Sequence, residues 1–429
     1  MMEAEENKRP FHYVQIVEEK CNGCVLCMKA CPTRAIRVRK EKARIEGTCI
    51  DCGECMRVCP RDAMRAVTTG MEFAKLSRFT ILSVSPVLYA QFGSEVTPNR
   101  ILLALRKVFK FVYDQAFTHE FYNAAAELYI QKCRAEKQAV WPLISPVCPV
   151  VNRLIAYRFP SLLDHILPII TPRELAAREL RKRLYCEKVF KLGDFGLYHV
   201  TPCSAKMIEV KEPMFLKNSY IDGILGISEV YHVVSKYLPD VEEDIILHQS
   251  SGVGIAWGLS GGEIDGFGQG NFLAVSGMQE TIRYLEKIEM GLLGDIEFIE
   301  FRSCSEGCIG GPMTVADKYQ AKTTVERLTR KYGIEKRVNT ATVKRAFDEG
   351  WFFIEKKSAP SAPRIQISIS DAIERQDRIE KILQGLPQKE CGACGSPDCR
   401  TFAEDFVDGK ASLEECLYVR IKRGGGNCR

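Results

Sequence analysis

The spacing of the cysteines constrains this chain more than any other feature. Cys21, Cys24, Cys27 and Cys31-Pro32 form the run C-x2-C-x2-C-x3-C-P, and Cys49, Cys52, Cys55 and Cys59-Pro60 repeat it. Thiolates two residues apart reach one small inorganic body only where the backbone between them turns tightly. Gly23 and Gly53 supply a permissive residue in each loop, and Pro32 and Pro60 end each loop. The 19 cysteines are an odd number, many lie two residues apart, and the charged start from Met1 to Arg9 has no apolar signal region after it. Reduced, metal-bound thiols in a cytoplasmic, oxygen-poor setting are therefore expected in place of disulfides. No apolar run is long enough to span a bilayer. The 60 basic and 55 acidic residues interleave to a net charge of +5, a solvated surface and not a nucleic-acid footprint. A length of 429 residues leaves room for two or three domains.

The doubled run is the bacterial ferredoxin pattern, in which the fourth cysteine of each run serves the other cluster. On that rule Cys21, Cys24, Cys27 and Cys59 hold one [4Fe-4S] cubane, and Cys49, Cys52, Cys55 and Cys31 hold a second. Structural zinc is the alternative for four thiolates, and the doubling with its prolines opposes it. Electron transfer is the expected role of this head, residues 1–70.

From about Met71 to Glu355 short apolar runs alternate with amphipathic helices, as in an α/β domain. Phe79 to Val84 reads as a buried strand ending at Ser85-Pro86. Leu143-Ile144 lead into Ser145 to Pro149 with Cys148, and Leu197 to Val200 lead into Thr201-Pro202-Cys203. Phe272 to Val275 lead into Ser276-Gly277, and Phe298 to Phe301 lead into Arg302-Ser303-Cys304. Ligands of α/β sheets gather where strands end, so three strand ends carrying cysteines imply one metal centre. Cys304 and Cys308 are four apart and share a face if helical. Lys206 follows Cys203 by three residues and Glu209 follows by three more, placing an ammonium beside the thiolates and a carboxylate to hold it. Thr171 to Glu174 predict a helix start with a capping box. The glycines between Gly252 and Gly262, and Gly310-Gly311, predict close backbone packing around the centre.

These segments resemble the [FeFe]-hydrogenase family. Ser145 to Pro149 looks like its T-S-C-C-P segment, Pro202 to Glu209 matches P-C-x-x-K-x-x-E, and Glu300 to Pro312 is similar to E-x-M-x-C-x-x-x-C-x-G-G. The resemblance covers about residues 10 to 355 and implies a hydrogenase-type α/β domain over 71–355. It implies an H-cluster: a cubane on Cys148, Cys203, Cys304 and Cys308, bridged through Cys308 to a two-iron unit with CO, cyanide and a dithiolate amine. Lys206 would donate to a cyanide and Glu209 would anchor Lys206, with Ser85, Pro86, Pro202 and Trp257 lining the cofactor. The implied reaction is reversible splitting of dihydrogen into protons and electrons. Hydrogenase maturation proteins and a redox partner such as ferredoxin are implied as partners, and neither nucleic acid nor membrane.

The departures are informative as well. The family's relay cysteine precedes the first ligand, where this chain has Val147, and the methionines flanking the two-iron unit read Thr201 and Arg302. The acidic relay pair falls near Asn123 to Glu127, leaving Glu120 or Glu127 as substitutes. A positioned proton donor contributes ~10²–10⁴-fold, so slow turnover is expected, as in sensory members of the family, with the signal passing to a separate protein. A productive catalyst and a non-catalytic iron–sulfur scaffold are the alternatives. Cys133, Cys186, Cys428, His119, His199 and His248 carry no spacing that demands a metal.

Residues 356–370 read as a linker. In 371–429 a helix from Asp371, with Ile373, Ile379, Ile382 and Leu383 in a stripe, is expected to dock on the main domain. Cys391, Cys394, Cys399 and Cys416 then give C-x2-C-x4-C-x16-C, which resembles a small iron–sulfur domain of corrinoid proteins. Zinc is again the alternative. A third accessory cubane is expected there, as a second electron port or a redox reporter.

Overall fold

The computed structural model describes residues 12–76, 79–136, 140–186, 195–354 and 368–423. Most of the expected linker, the tail glycines and the charged start lie outside them. The chain forms two compact units, Met1–Ala66 with Ala362–Arg429, and Val67–Ser361.

The first unit begins with β1 (Val14–Ile16), α1 (Leu26–Ala30), β2 (Ile36–Arg39), β3 (Lys42–Ile45), α2 (Glu54–Arg57) and β4 (Met64–Ala66). Strand β1 pairs antiparallel with β4, and β2 with β3. Each cysteine run wraps a loop and enters a short helix. Both loops place two left-handed residues at equivalent positions, Gly23 (φ 71) and Val25 (φ 61) in one, Asp51 (φ 54) and Gly53 (φ 76) in the other. A Cβ on Gly23 would stand 2.8 Å from the Glu41 backbone. Sequence repetition has thus become structural repetition, with the glycine at opposite places in the two copies.

The second unit runs α3 (Met71–Leu76), β5 (Thr80–Val84), α4 (Pro98–Arg106), β6 (Phe111–Asp114), α5 (Ala116–Glu136), β7 (Leu143–Ile144), α6 (Pro149–Arg158) and α7 (Pro172–Cys186). It continues with β8 (Gly196–Thr201), α8 (Ala205–Lys211), β9 (Gly223–Gly226), α9 (Ile227–Tyr237), α10 (Gly252–Ala256), β10 (Phe272–Ser276), α11 (Met278–Glu289), β11 (Phe298–Arg302), α12 (Lys318–Tyr332) and α13 (Thr340–Asp348). Two parallel sheets result, in the orders β6-β5-β8-β9 and β10-β11-β7. Strands β5, β8, β9 and β11 are buried along their whole length, as parallel strands covered on both faces must be. Leu82, Val84, Leu88 and Ile101 belong to the core around the first sheet, and Tyr122, Leu143, Leu167 and Phe298 to a second core.

Helix α7 starts at Pro172 as expected, but the capping box does not form. Thr171 Oγ1 is buried without a partner, and the Glu174 carboxylate instead accepts from Ser219 Oγ (2.7 Å) and the Tyr220 amide (2.9 Å). Tertiary partners have outcompeted the local motif.

The first unit is completed by α14 (Ile369–Gln384), α15 (Cys399–Val407) and α16 (Leu417–Arg423). Ile379 is buried, and Ile382 and Leu383 are partly buried, against Phe402, Leu386 and Cys399 of the same small module, whereas Ile373 is exposed. The stripe therefore covers its own cysteine module.

Candidate functional site

In the head, Cys21, Cys24, Cys27 and Cys59 line one cavity. Burial, then the neighbouring Cys21, raise the Cys27 thiol to about 11, with Cys24 and Cys59 adding to the effect. Cys55 is raised to about 12 by burial and then by Cys31, and Cys49 and Cys52 also feel Cys31. Backbone amides turn to the sulfurs: Ala35 to Cys31 (3.3 Å), Ala43 to Cys21 (3.4 Å), Asp51 to Cys49 (3.4 Å) and Ala63 to Cys59 (3.2 Å). Amides in these positions stabilise thiolate charge. In the C-terminal module Cys391, Cys394, Cys399 and Cys416 line one cavity with Phe402 and Leu386. Each described cysteine is a free thiol.

The main cavity lies where strands of both parallel sheets end. From the first sheet, β5 delivers Ser85 and Pro86, and β8 delivers Pro202 and Cys203; from the second, β7 leads to Cys148 and β11 to Arg302, Ser303 and Cys304. Cys308, Lys206 and Trp257 complete the wall. Four cysteines from three separate segments thus share one enclosure. Gly258 and Gly311 line it too, and a Cβ would meet the Val87 side chain at 2.7 Å or the Pro202 carbonyl at 2.5 Å respectively. The expectation of close glycine packing holds at these positions. A donor set of four thiols with room between them fits an iron–sulfur body.

Cations surround these thiols. Burial lowers the Lys206 pKa against the pull of Cys308 and Cys203, and burial raises Cys203 to about 11 against the pull of Lys206. Metal binding needs thiolates, so loading this site releases protons. Glu209 does not hold Lys206. Its Oε1 lies 3.7 Å from Arg173 Nη2, while Lys206 Nζ lies 3.5 Å from His199 Nε2. Arg173 itself lines the cavity and donates to the Val147 carbonyl at 3.3 Å.

Several lining residues carry no sequence signal. His119 stands in the cavity wall from α5, stacked on Trp257 with ring centroids 4.1 Å apart. His199 is buried behind Lys206, with Nδ1 3.1 Å from the Ser83 carbonyl. Only the fold brings these rings to the centre. His248, by contrast, pairs with Asp114 (2.7 Å) in a buried network with Tyr89. Arg302 is 1% exposed, 2.9 Å from Glu263 and 3.5 Å from Glu300, with its guanidinium 4.9 Å from the Trp257 ring centroid. Burial opposes its charge, and the two carboxylates more than offset that, so it stays protonated.

Val147 lines the cavity beside Cys148, and its amide donates to Ser145 Oγ (3.4 Å), which donates to Glu263 (2.8 Å). The substitute acids do not line the cavity. Glu120 accepts from Ser250, Ser251 and the Arg337 amide, and Glu127 from the Gly268 amide and Lys336.

Residues 78–312 match the family model for the iron only hydrogenase large subunit, C-terminal domain. Residues 13–71 match a 4Fe-4S dicluster domain and residues 386–418 an Fe-S cluster family. The chain is 27% identical over 403 residues to the periplasmic [Fe] hydrogenase large subunit of Nitratidesulfovibrio vulgaris, covering 78% of this chain and 94% of that protein. Over 39 residues it is 51% identical to the corrinoid/iron-sulfur protein large subunit of Moorella thermoacetica, covering 9% of each. A variant of the [FeFe]-hydrogenase HydA1 of Chlamydomonas reinhardtii shares the fold at a TM-score of 0.50 and 15% identity, covering 63% of this chain and 89% of that one. Among the described residues no helix is long and apolar enough to cross a membrane. The hydrogenase match takes in Cys148, Cys203, Cys304 and Cys308 and more than half of the sequence, and the chain belongs to the iron-only, or [FeFe], hydrogenase large-subunit family, an iron–sulfur oxidoreductase family of dihydrogen activation and electron transfer.

Proposed function

We propose that this chain activates dihydrogen slowly, as a hydrogen-sensing or regulatory hydrogenase, at an H-cluster held by Cys148, Cys203, Cys304 and Cys308. Bound there, that group would supply the cleavage of dihydrogen into two protons and two electrons. Cys308 would hold the two-iron unit as well as the cubane in this reading. Lys206 would donate to an anionic ligand of the two-iron unit, and Ser85, Pro86, Pro202 and Trp257 would shape the space around it. Arg173 ties Glu209 to the cavity wall, so Glu209 acts on the site through Arg173. Three accessory [4Fe-4S] clusters, two held in residues 1–70 and one in 371–429, would supply electron transfer to a redox partner such as ferredoxin. Maturation proteins install the two-iron unit in the cytoplasm, and a separate protein receives the signal. For the C-terminal cysteines, which line one cavity, a cubane and not zinc is supported by the match of residues 386–418 to an Fe-S cluster family.

One observation carries the slow-turnover reading. The residue beside the first ligand, on the cavity wall, is Val147, which can neither give nor take a proton. Its backbone amide is held by Ser145 Oγ, which donates to Glu263, so the position itself is fixed in the wall. Steady-state dihydrogen oxidation by matured wild type and Val147→Cys tests the reading. The variant is expected to gain at least ~10-fold, towards the ~10²–10⁴ of a positioned donor. A wild type already as fast as its catalytic relatives, with no gain in the variant, contradicts it.

A further inference from the structure

The ferredoxin-type head and the C-terminal cysteine module meet across a buried polar junction that plays no part in the main cavity. Asp405 on α15 is 4% exposed. Its carboxylate accepts from Arg37 Nε (2.6 Å) and Nη2 (3.1 Å), Arg39 Nη2 (3.0 Å) and Ser396 Oγ (2.9 Å). Both arginines lie on β2, and a two-pronged guanidinium–carboxylate contact fixes orientation as well as distance. Arg39 Nη1 also donates to the carbonyl of Cys394 (2.6 Å), and the Val38 amide donates to the carbonyl of Gly395 (2.8 Å). Arg34 pairs with Asp398 at 2.8 Å.

The C-x2-C loop of the C-terminal module is itself the contacting element. Gly392 (φ 70) and Gly395 (φ 79) press on the head, and a Cβ on Gly392 would stand 2.9 Å from Met28 Cε, while one on Gly395 would collide with the Val38 carbonyl. Gly23, Val25 and Val38 line the cavity of Cys21, Cys24, Cys27 and Cys59. The same three residues face Cys391 and Cys394 across an open cleft. One thin wall therefore separates the two cysteine cages. None of the four cysteines assigned to the other head cluster lines either cavity.

We propose that this junction is a fixed electron relay. The C-terminal cluster exchanges electrons with the cluster of Cys21, Cys24, Cys27 and Cys59, through the wall of Gly23, Val25 and Val38, and not directly with the second head cluster. In each exchange one cubane is oxidised by one electron as its neighbour is reduced by one, with no atom or proton moving. Arg37, Arg39 and Asp405 are positioning residues that hold the gap constant. The inference rests on the cluster reading given above and decides between an electron port and an isolated reporter.

Electron paramagnetic resonance of the dithionite-reduced full chain tests it, because two reduced clusters held close together split and broaden each other's signals. Iron and zinc are counted first. In Cys52→Ala, which removes the second head cluster, the C-terminal and first head clusters are expected to give a mutually split signal. The splitting should vanish in Cys52→Ala/Cys416→Ala and in Cys24→Ala, where one member is gone. It should weaken in Cys52→Ala/Asp405→Asn at unchanged iron content. If that variant does not fold, the cysteine variants still decide. A Cys52→Ala spectrum equal to the sum of separate single-cluster signals, at full iron content, overturns the junction alone. Zinc in place of iron in the C-terminal module overturns the relay and the cluster reading together.

Discussion

Arg302 stands where the family resemblance implies a methionine, and its surroundings explain how a guanidinium can be buried there. Glu263 and Glu300 flank it within 2.9 and 3.5 Å, and Trp257 offers its ring face. Removing one partner of a buried ionic group typically costs about 3–5 kcal/mol, whereas replacing the whole group by neutral side chains is often tolerated. Arg302→Met should therefore destabilise the chain by about that amount, and adding Glu263→Gln and Glu300→Gln should recover most of the loss in denaturant titrations. Equal instability of single and triple variants would contradict this account. His199 gives a pH signature. Burial, and then Lys206 and Arg173, hold its pKa well below the ordinary range, so the folded chain keeps it neutral where the unfolded chain takes up a proton. Its contribution to stability is present above about pH 6.5 and is lost as the pH falls below that value. The melting temperature of His199→Gln should fall less steeply than wild type between pH 7 and 5; parallel curves would contradict the assignment. Neither residue's environment was legible in the sequence. Arg302 showed only as a departure from a motif, and His199 had no spacing to mark it, because Glu263 lies 39 residues from Arg302 and Ser83 lies 116 residues from His199.

Elements were legible where local chemistry sets them. The strand preceding Ser85, and those preceding Cys203 and Cys304, are short runs rich in apolar residues, and each ends within a residue or so of its expected place. Two were not. Strand β6 has only four residues, beginning with a partly exposed Phe111, and β9 is Gly-Ile-Leu-Gly; both are too short for periodicity to register and exist through pairing with β5 and β8. That the strands fall into two sheets was equally hidden, since register and order are tertiary facts. In the head, the loop chemistry makes its own prediction. Gly53 precedes α2 in the left-handed region at φ 76, where a side chain costs roughly 1–2 kcal/mol. Gly53→Val should lower the denaturant midpoint for cluster loss by about that free energy, while Val25→Gly, at the equivalent place in the other loop, should raise it. Opposite shifts would show that the loops are held by something other than backbone conformation.

At the scale of the whole molecule, the sequence divides into head, hydrogenase domain, linker and tail, whereas the folded chain counts head and tail as one unit. Charge patterning gave no hint of this. Arg37 and Asp405 are 368 residues apart, and in sequence each looks like an ordinary surface residue. The four-cysteine sites were readable for the opposite reason: three of each set lie within eleven residues in both head and tail, so spacing alone encodes the cage. The main cavity is intermediate, with cysteines delivered by four strand ends or loops that a family resemblance identifies and the fold brings together. Its central claim is a two-iron unit beside Cys308, and infrared spectroscopy of the anaerobically matured protein tests that most directly. The account predicts CO and cyanide stretching bands under argon that shift when hydrogen is admitted. A spectrum without such bands, from protein matured under conditions that load a related hydrogenase, would contradict it and leave an iron–sulfur scaffold or electron carrier.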